Sequence, residues 1–341
     1  MKSRGSAGPR NGRPAGSSGA PALAGILALG IVLGCGPAAG SPSVGATPTA
    51  RPTPSASLTP TAASSATPTA GQTPPIVHAT GSADLVLRVA SGGGLLPMEM
   101  RLAELPTISV YGDGRVIREG ETGAAPTDPL VPELLESRLT PEAMTAVLAA
   151  AGDAGLLGPD RRLALEGVYD LWSVAFVLIA NGATHRTWAY ALGFSDEGKF
   201  APPEDLPARK ALNAFFERLR DLPGWLGQTG VSSDAPYRPR QVRLYVAPVW
   251  DWSKAPDASP ATATARPGQD IRDWPLQGPP DVFGEPIDSQ EGSWRCGLLG
   301  AEDAGRWGIA SATNDTRWRA GDRLYRVVIR PLLPDEAGCR D

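Results

Sequence analysis

The chain has 341 residues, a formal net charge of −4, 40 glycines, 35 prolines, three cysteines and two histidines. No Lys/Arg cluster interrupts this mildly acidic balance, so the basic footprint that nucleic-acid phosphates require is missing and no nucleic-acid partner is expected. Two histidines and three scattered cysteines make no array with metal-ligand spacing; no metal or cofactor is expected.

Lys2, Arg4, Arg10 and Arg13 precede an apolar run from Ala22 to Leu33, too short to cross a hydrocarbon core of about 30 Å stably as a mature helix. The run closes in Val32-Leu33-Gly34-Cys35, which resembles the lipobox of bacterial lipoproteins, with Val32 where leucine is commoner. The resemblance implies that residues 1–34 are a signal peptide removed on export. It further implies that Cys35 receives a diacylglyceryl thioether and often an acyl chain such as palmitate on its new amine. Membrane lipid, reached through Cys35, would then be the first partner, and the outer face of the bacterial cell membrane the location. An ordinary cleaved signal peptide or an N-terminal membrane helix is the alternative.

Residues 35–80 are nearly all Ala, Pro, Ser, Thr and Gly. Such a segment has little to bury against the cost of chain entropy, so it reads as a disordered tether between lipid and domain. Fully stretched at about 3.1 Å per residue it would reach on the order of 130 Å.

The folded part divides into 81–226 and 238–341. The first begins with a strand at Leu85–Ala90 and a glycine run, Gly92–Gly94, that lacks the spacing of a phosphate-cradling loop. Ile108–Ile117 then reads as a hairpin turned at Asp113-Gly114, the aspartate a turn former and not a calcium ligand. Thr140-Pro141-Glu142 opens a helix with Met144, Val147, Leu148 and Ala151 on one stripe, ending at Gly152 or Gly155. A second hairpin, Leu171–Ala180 and Thr184–Leu192, turns at Asn181-Gly182. A second helix follows Asp205, with Leu212, Phe215, Phe216 and Leu219 buried, and ends by Pro223-Gly224. The order predicts an α+β fold: an antiparallel sheet from repeated hairpin–helix units, helices on one face, plus a C-terminal strand–helix–strand extension.

Tyr111–Gly114, Ala154–Leu157, Tyr190–Gly193 and the C-terminal Arg330–Glu336 followed by Cys339 together resemble an uncharacterised group of secreted bacterial lipoproteins from high-GC organisms. The resemblance implies location and fold and carries no activity.

No H-E-x-x-H, G-x-S-x-G or S-x-x-K stretch occurs, which removes the simplest zinc peptidase, serine hydrolase and penicillin-recognising readings. His185 falls opposite Leu178 if the hairpin turn has two residues, and reads as a satisfied, half-buried histidine; His78 lies in or beside the tether. Glu166 and Asp170 are the one pair that could be imagined as glycosidase carboxylates. No catalytic residue is assigned.

The segment 238–341 reads as a strand at Val242–Trp250, a proline-interrupted loop at 257–268, a short helix at Ala301–Ala312 and a returning strand at Leu324–Arg330. Seven of the nine tryptophans lie from Trp225 onward. They fill the core, or else Trp250, Trp252, Trp274 and Trp294 form a ligand platform able to stack on a wall polymer or anchor an envelope protein. Cys296 and Cys339 remain once Cys35 is assigned to lipid; a disulfide suits an oxidising compartment, with two buried free thiols as the alternative. The reading leans to a non-enzymatic binding or envelope-interaction module. A carbohydrate-binding or glycoside-hydrolysing envelope protein is the alternative, and a structural or inhibitory role a third.

Overall fold

The computed structural model describes residues 75–120, 127–249, 268–287 and 293–339. Cys35, the leader, most of the tether, Trp250, Trp252 and the loop at 257–267 lie outside them. All described residues belong to one compact unit, a mixed α+β fold with two β-sheets and interspersed helices.

The first sheet has eight strands: β1 (Leu85–Gly92), β2 (Ile108–Tyr111), β3 (Arg115–Glu119), β4 (Leu134–Arg138), β5 (Arg161–Leu163), β6 (Ser173–Ala180), β7 (Ala183–Tyr190) and β8 (Ala235–Pro236). Their order is β5-β7-β6-β1-β2-β3-β4-β8. Between them lie α1 (Met98–Ala103) and α2 (Pro141–Asp153), and after β7 come α3 (Glu197–Phe200), α4 (Leu206–Arg220) and α5 (Leu222–Leu226).

Both hairpins form where turn chemistry places them. Asn181 and Gly182 both take positive φ, 53° and 75°, as a two-residue turn of the mirror-image type requires. The resulting register sets His185 opposite Leu178. In α2, Thr140 Oγ1 accepts from the Ala143 N–H at 3.2 Å and Pro141 occupies the first turn, where no intrahelical donor is needed. Asp205 stands at the start of α4 without capping it; its carboxylate lies 3.7 Å from Arg161. Pro223-Gly224 does not end α4 but lies inside α5, because the Asp221 side chain accepts from the Gly224 N–H at 2.9 Å and restarts a turn in which proline is tolerated.

Two features depart from repeated hairpin–helix units in an antiparallel sheet. The strands β1, β4 and β5 stand outside the two hairpins, and β5 pairs with β7 in parallel. A three-residue edge strand delivered by the long connection after α2 is free to run either way, whereas a tight hairpin enforces antiparallel pairing.

One face of this sheet, through Leu87, Val110, Val116, Val174, Phe176 and Leu178, packs on α2 and α4. The tether boundary at residue 80 moves earlier. Ile76 packs against this cluster, the Val77 carbonyl accepts from the Asn181 N–H at 2.7 Å, and Asn181 Oδ1 accepts from the Val77 N–H at 2.9 Å. Ile76 and Val77 interrupt a run of small residues and give the chain something to dock.

The second sheet comprises β9 (Gln241–Pro248), β10 (Ile271–Asp273), β11 (Glu285–Pro286), β12 (Arg295–Gly300), β13 (Arg317–Ala320) and β14 (Arg323–Pro331), ordered β10-β13-β14-β9-β12-β11. The β10–β13 pair is parallel. The helix expected over Ala301–Ala312 is α6 (Ala301–Arg306) followed by a 3₁₀ turn at Ile309–Ser311, separated by Gly308 with φ 67°. Along β9 the six residues Val242 to Ala247 are all buried, which requires cover on both faces. Val242, Leu244 and Val246 meet Trp318, Val327 and Ile329, while Tyr245 and Ala247 meet Trp294, Cys296 and Val328.

The second face is covered from the first sheet's own chain: Met98, Leu102 and Ala103 of α1 pack into it. In exchange, Leu333 enters the far face of the first sheet beside Tyr111, Ile117 and Leu134. Each sheet therefore buries a piece of the other's connection. Burying a side chain such as Met98 contributes about 1.5–3 kcal/mol.

Cys296 and Cys339 form a disulfide with Cα atoms 6.0 Å apart. It fastens the tail beyond β14 to β12, across a separation of 43 residues. Reduction is expected to cost about 2–4 kcal/mol, because the unfolded chain regains the entropy of the opened loop. Paired denaturant melts with and without reductant measure it; coincident melts would show that the bond staples nothing.

Candidate functional site

Where β1 leaves the first sheet, Gly93 and Gly94 take φ of 92° and 82°, turning the chain toward α1. Glu104 Oε1 accepts from the Gly93 N–H at 3.3 Å and steadies that turn. The glycine run is thus a corner that sends α1 onto the second sheet. The detour leaves a cavity of about 1030 Å³ bounded by the end of β1, α1, Pro129–Pro132, the stretch around Asp170, and β14.

Buried Leu105, Leu130, Val327, Val328 and Ile329 supply its apolar walls. Its rim carries large apolar side chains in the open: Leu95 is 90% exposed, Trp172 49% and Met100 38%. Glu99, Glu104, Glu119, Asp170 and Asp315 line it, against Arg317 and Arg326. Arg326 pairs with Glu99 and lies 4.9 Å above the Trp294 ring. Arg317 stands 3.7 Å from Asp315. A smaller cavity of about 550 Å³ is lined by Arg115, Glu136, Tyr237 and Glu336, among others; burial pushes the Tyr237 hydroxyl up to about 12.

The tryptophan platform does not assemble among the described residues. Trp294 is fully enclosed, its ring between the core and Arg326. Trp274 is half-buried, donates its indole N–H to the Gly278 carbonyl at 3.1 Å and meets Phe283 edge-on. Trp250 and Trp252 lie outside the described residues. His185 is half-buried with Nδ1 2.9 Å from the Gly158 carbonyl. Glu166 and Asp170 are both exposed, and only Asp170 borders the cavity.

Trp172, Leu95 and Met100 are the residues sequence reasoning missed. Period-two alternation with Val174 and Phe176 would place Trp172 on the buried side, but β6 starts only at Ser173, so its indole escapes the pleat. A usable signal was Leu95-Leu96 directly after three glycines: large apolar residues on a flexible corner with no strand or helix to hide them. Comparison with family models, with curated proteins and with solved structures gave no match.

Proposed function

We propose that this protein is a lipid-anchored extracytoplasmic binding module whose ligand seat is the cavity between the two sheets. The observation that carries the binding half is the rim: three large apolar side chains, Leu95, Met100 and Trp172, stand open to solvent around one cavity. Anchoring rests on Leu33-Gly34-Cys35 behind a basic and apolar leader. The disulfide suits the same compartment.

A neutral, environment-sensitive dye such as Nile red tests the seat without regard to charge. The full chain is expected to enhance its fluorescence, and Leu95→Asp with Met100→Asp to abolish the enhancement. A response unchanged by those substitutions would place the dye elsewhere and remove the seat. For the anchor, Cys35→Ser is expected to shift the protein from the membrane fraction to the soluble one; an unmodified Cys35 in the intact mass of membrane-purified protein would end that reading.

The carbohydrate-binding or glycoside-hydrolysing alternative keeps one supporting observation, the open indole of Trp172 beside Asp170 at the cavity. Retention on insoluble cell-wall polymer that Trp172→Ala abolishes would favour it.

A further inference from the structure

The chemical class of the ligand is written in the charges around the cavity and in one uncovered indole; this step rests on the cavity being the seat. Three tryptophans elsewhere in the molecule are covered by arginine. Arg162 stands 4.8 Å over Trp188, Arg218 5.7 Å over Trp225 and Arg326 4.9 Å over Trp294. Trp172, like Trp274, Trp307 and Trp318, has no such cover among the described residues, and of the described tryptophans it alone is exposed, at 49%.

Its surroundings are short of positive charge. Both arginines in the lining are engaged, Arg326 with Glu99 and Arg317 with Asp315. Asp170 forms no ion pair among the described residues, and the side-chain partner of Glu104 among them is the Gly93 N–H; Glu119 lines the same cavity from β3, three strands from β6. Two carboxylates, Asp170 and Glu104, therefore line this corner of the cavity without an ion pair among the described residues, beside an aromatic face that attracts a cation. Around them are Leu95, Met100 and the buried wall of Leu105 and Val327, which have no use for a bare metal ion or a hydrated sugar.

We infer that the cavity binds a lipophilic organic cation, an ammonium, phosphonium or guanidinium carried on an apolar body. The positive centre sits beside Trp172, Asp170 and Glu104, at the corner where Gly92 pairs with Ser173 and Glu104 meets the Gly93 N–H. The apolar body fills the space between Leu95, Met100 and the wall. At about 1030 Å³ the cavity admits a drug-sized molecule.

Tetraphenylphosphonium and tetraphenylborate share size and shape and differ in sign, so together they isolate the charge preference. Equilibrium dialysis against the full chain at low salt is expected to show the phosphonium binding at least about tenfold tighter. Asp170→Asn should erase most of that difference; asparagine suits position 170, whose φ is 59°. Trp172→Ala should weaken the phosphonium more than the borate, and Trp172→Phe, which keeps a ring, should restore part of the loss. Borate binding as tightly as phosphonium, or a preference that survives Asp170→Asn, would overturn the inference and leave the neutral-dye seat standing. If neither ion binds while the dye does, the cation class is likewise wrong; if the dye fails too, the seat itself is.

Discussion

Arg209→Ala is expected to cost about 3–5 kcal/mol of folding stability, the range for breaking a buried charge cluster from one side. Arg209 is fully buried on α4, and its guanidinium is satisfied on every nitrogen. Nε pairs with Glu197 of α3, Nη1 donates to the Leu163 carbonyl at 3.0 Å, and Nη2 donates to the carbonyls of Tyr190 at 2.7 Å and Ala191 at 3.2 Å. One side chain thereby ties the ends of β5 and β7 to two helices. It also holds Ala191, whose φ of 49° is costly for a residue with a Cβ.

Truncation leaves three carbonyls and a carboxylate short of donors around a new cavity. Arg209→Lys should not rescue it, since a single ammonium cannot span acceptors on both sides of a planar fork. Glu197→Gln should be milder, because the amide oxygen can still accept from Nε and the three carbonyl acceptors of the guanidinium remain. Urea denaturation of the three variants gives the answer. A loss below about 1 kcal/mol for Arg209→Ala would mean that the cluster is not holding these elements together.

Arg209 also shows where a sequence stops being legible. Hairpins and helices could be read because their signals are local: Asn181-Gly182, Asp113-Gly114, Thr140-Pro141 and the apolar stripe of α2. Arg209 lies on the same face of α4 as Leu212 and Phe216, where an arginine looks out of place, and three of its four partners are main-chain carbonyls that have no sequence signature. The cavity was hidden for a related reason. It exists only because α1 crosses to the second sheet, an exchange between segments more than two hundred residues apart, such as Glu99 and Arg326.

Trp294 could have been placed correctly. It stands two residues before Cys296, and although β12 opens at Arg295, the Trp294 carbonyl accepts from the Ile287 N–H at 3.0 Å and prolongs the β11–β12 pairing, so the two share a face that the tail-bonded cysteine points inward. Both are fully enclosed, and the indole fills space under α1 instead of offering itself to a ligand.

The segment after β14 is expected to make stability fall at both ends of the pH scale, through groups that can be separated by mutation. Arg330 forms a fork-to-fork pair with Glu336, 2.7 Å on each side, and donates through Nε to the Glu104 carbonyl at 2.8 Å. Asp335 accepts from Arg88 at 2.7 Å and from the Tyr111 hydroxyl at 2.8 Å. The Asp335 bonds clasp the tail onto the first sheet, the Arg330–Glu336 pair ties it back to β14, and Leu333 fills the apolar face beside Tyr111. Burial by itself would raise the Glu336 carboxyl, but hydrogen bonding and attraction from Arg330, the Leu333 N–H and the charge of Arg88 outweigh it and hold the group below its ordinary range.

A depressed carboxyl contributes stability above its unfolded value near about 4.3 and loses it as pH falls through the lower folded one. Tyr111 behaves in the opposite sense: burial, then the charge and hydrogen bond of Asp335, raise its hydroxyl. Its contribution is full below the unfolded value near about 10 and declines as pH rises beyond it. Urea melts across pH should therefore show an acid limb flattened by Glu336→Gln and an alkaline limb flattened by Tyr111→Phe. At neutral pH, Arg330→Ala should cost about 3–5 kcal/mol, since it strands a Glu336 side chain that is only 7% exposed. An acid limb that Glu336→Gln leaves unchanged, together with a small loss for Arg330→Ala, would show that the tail is held by its disulfide and Leu333 and not by this clasp of charges.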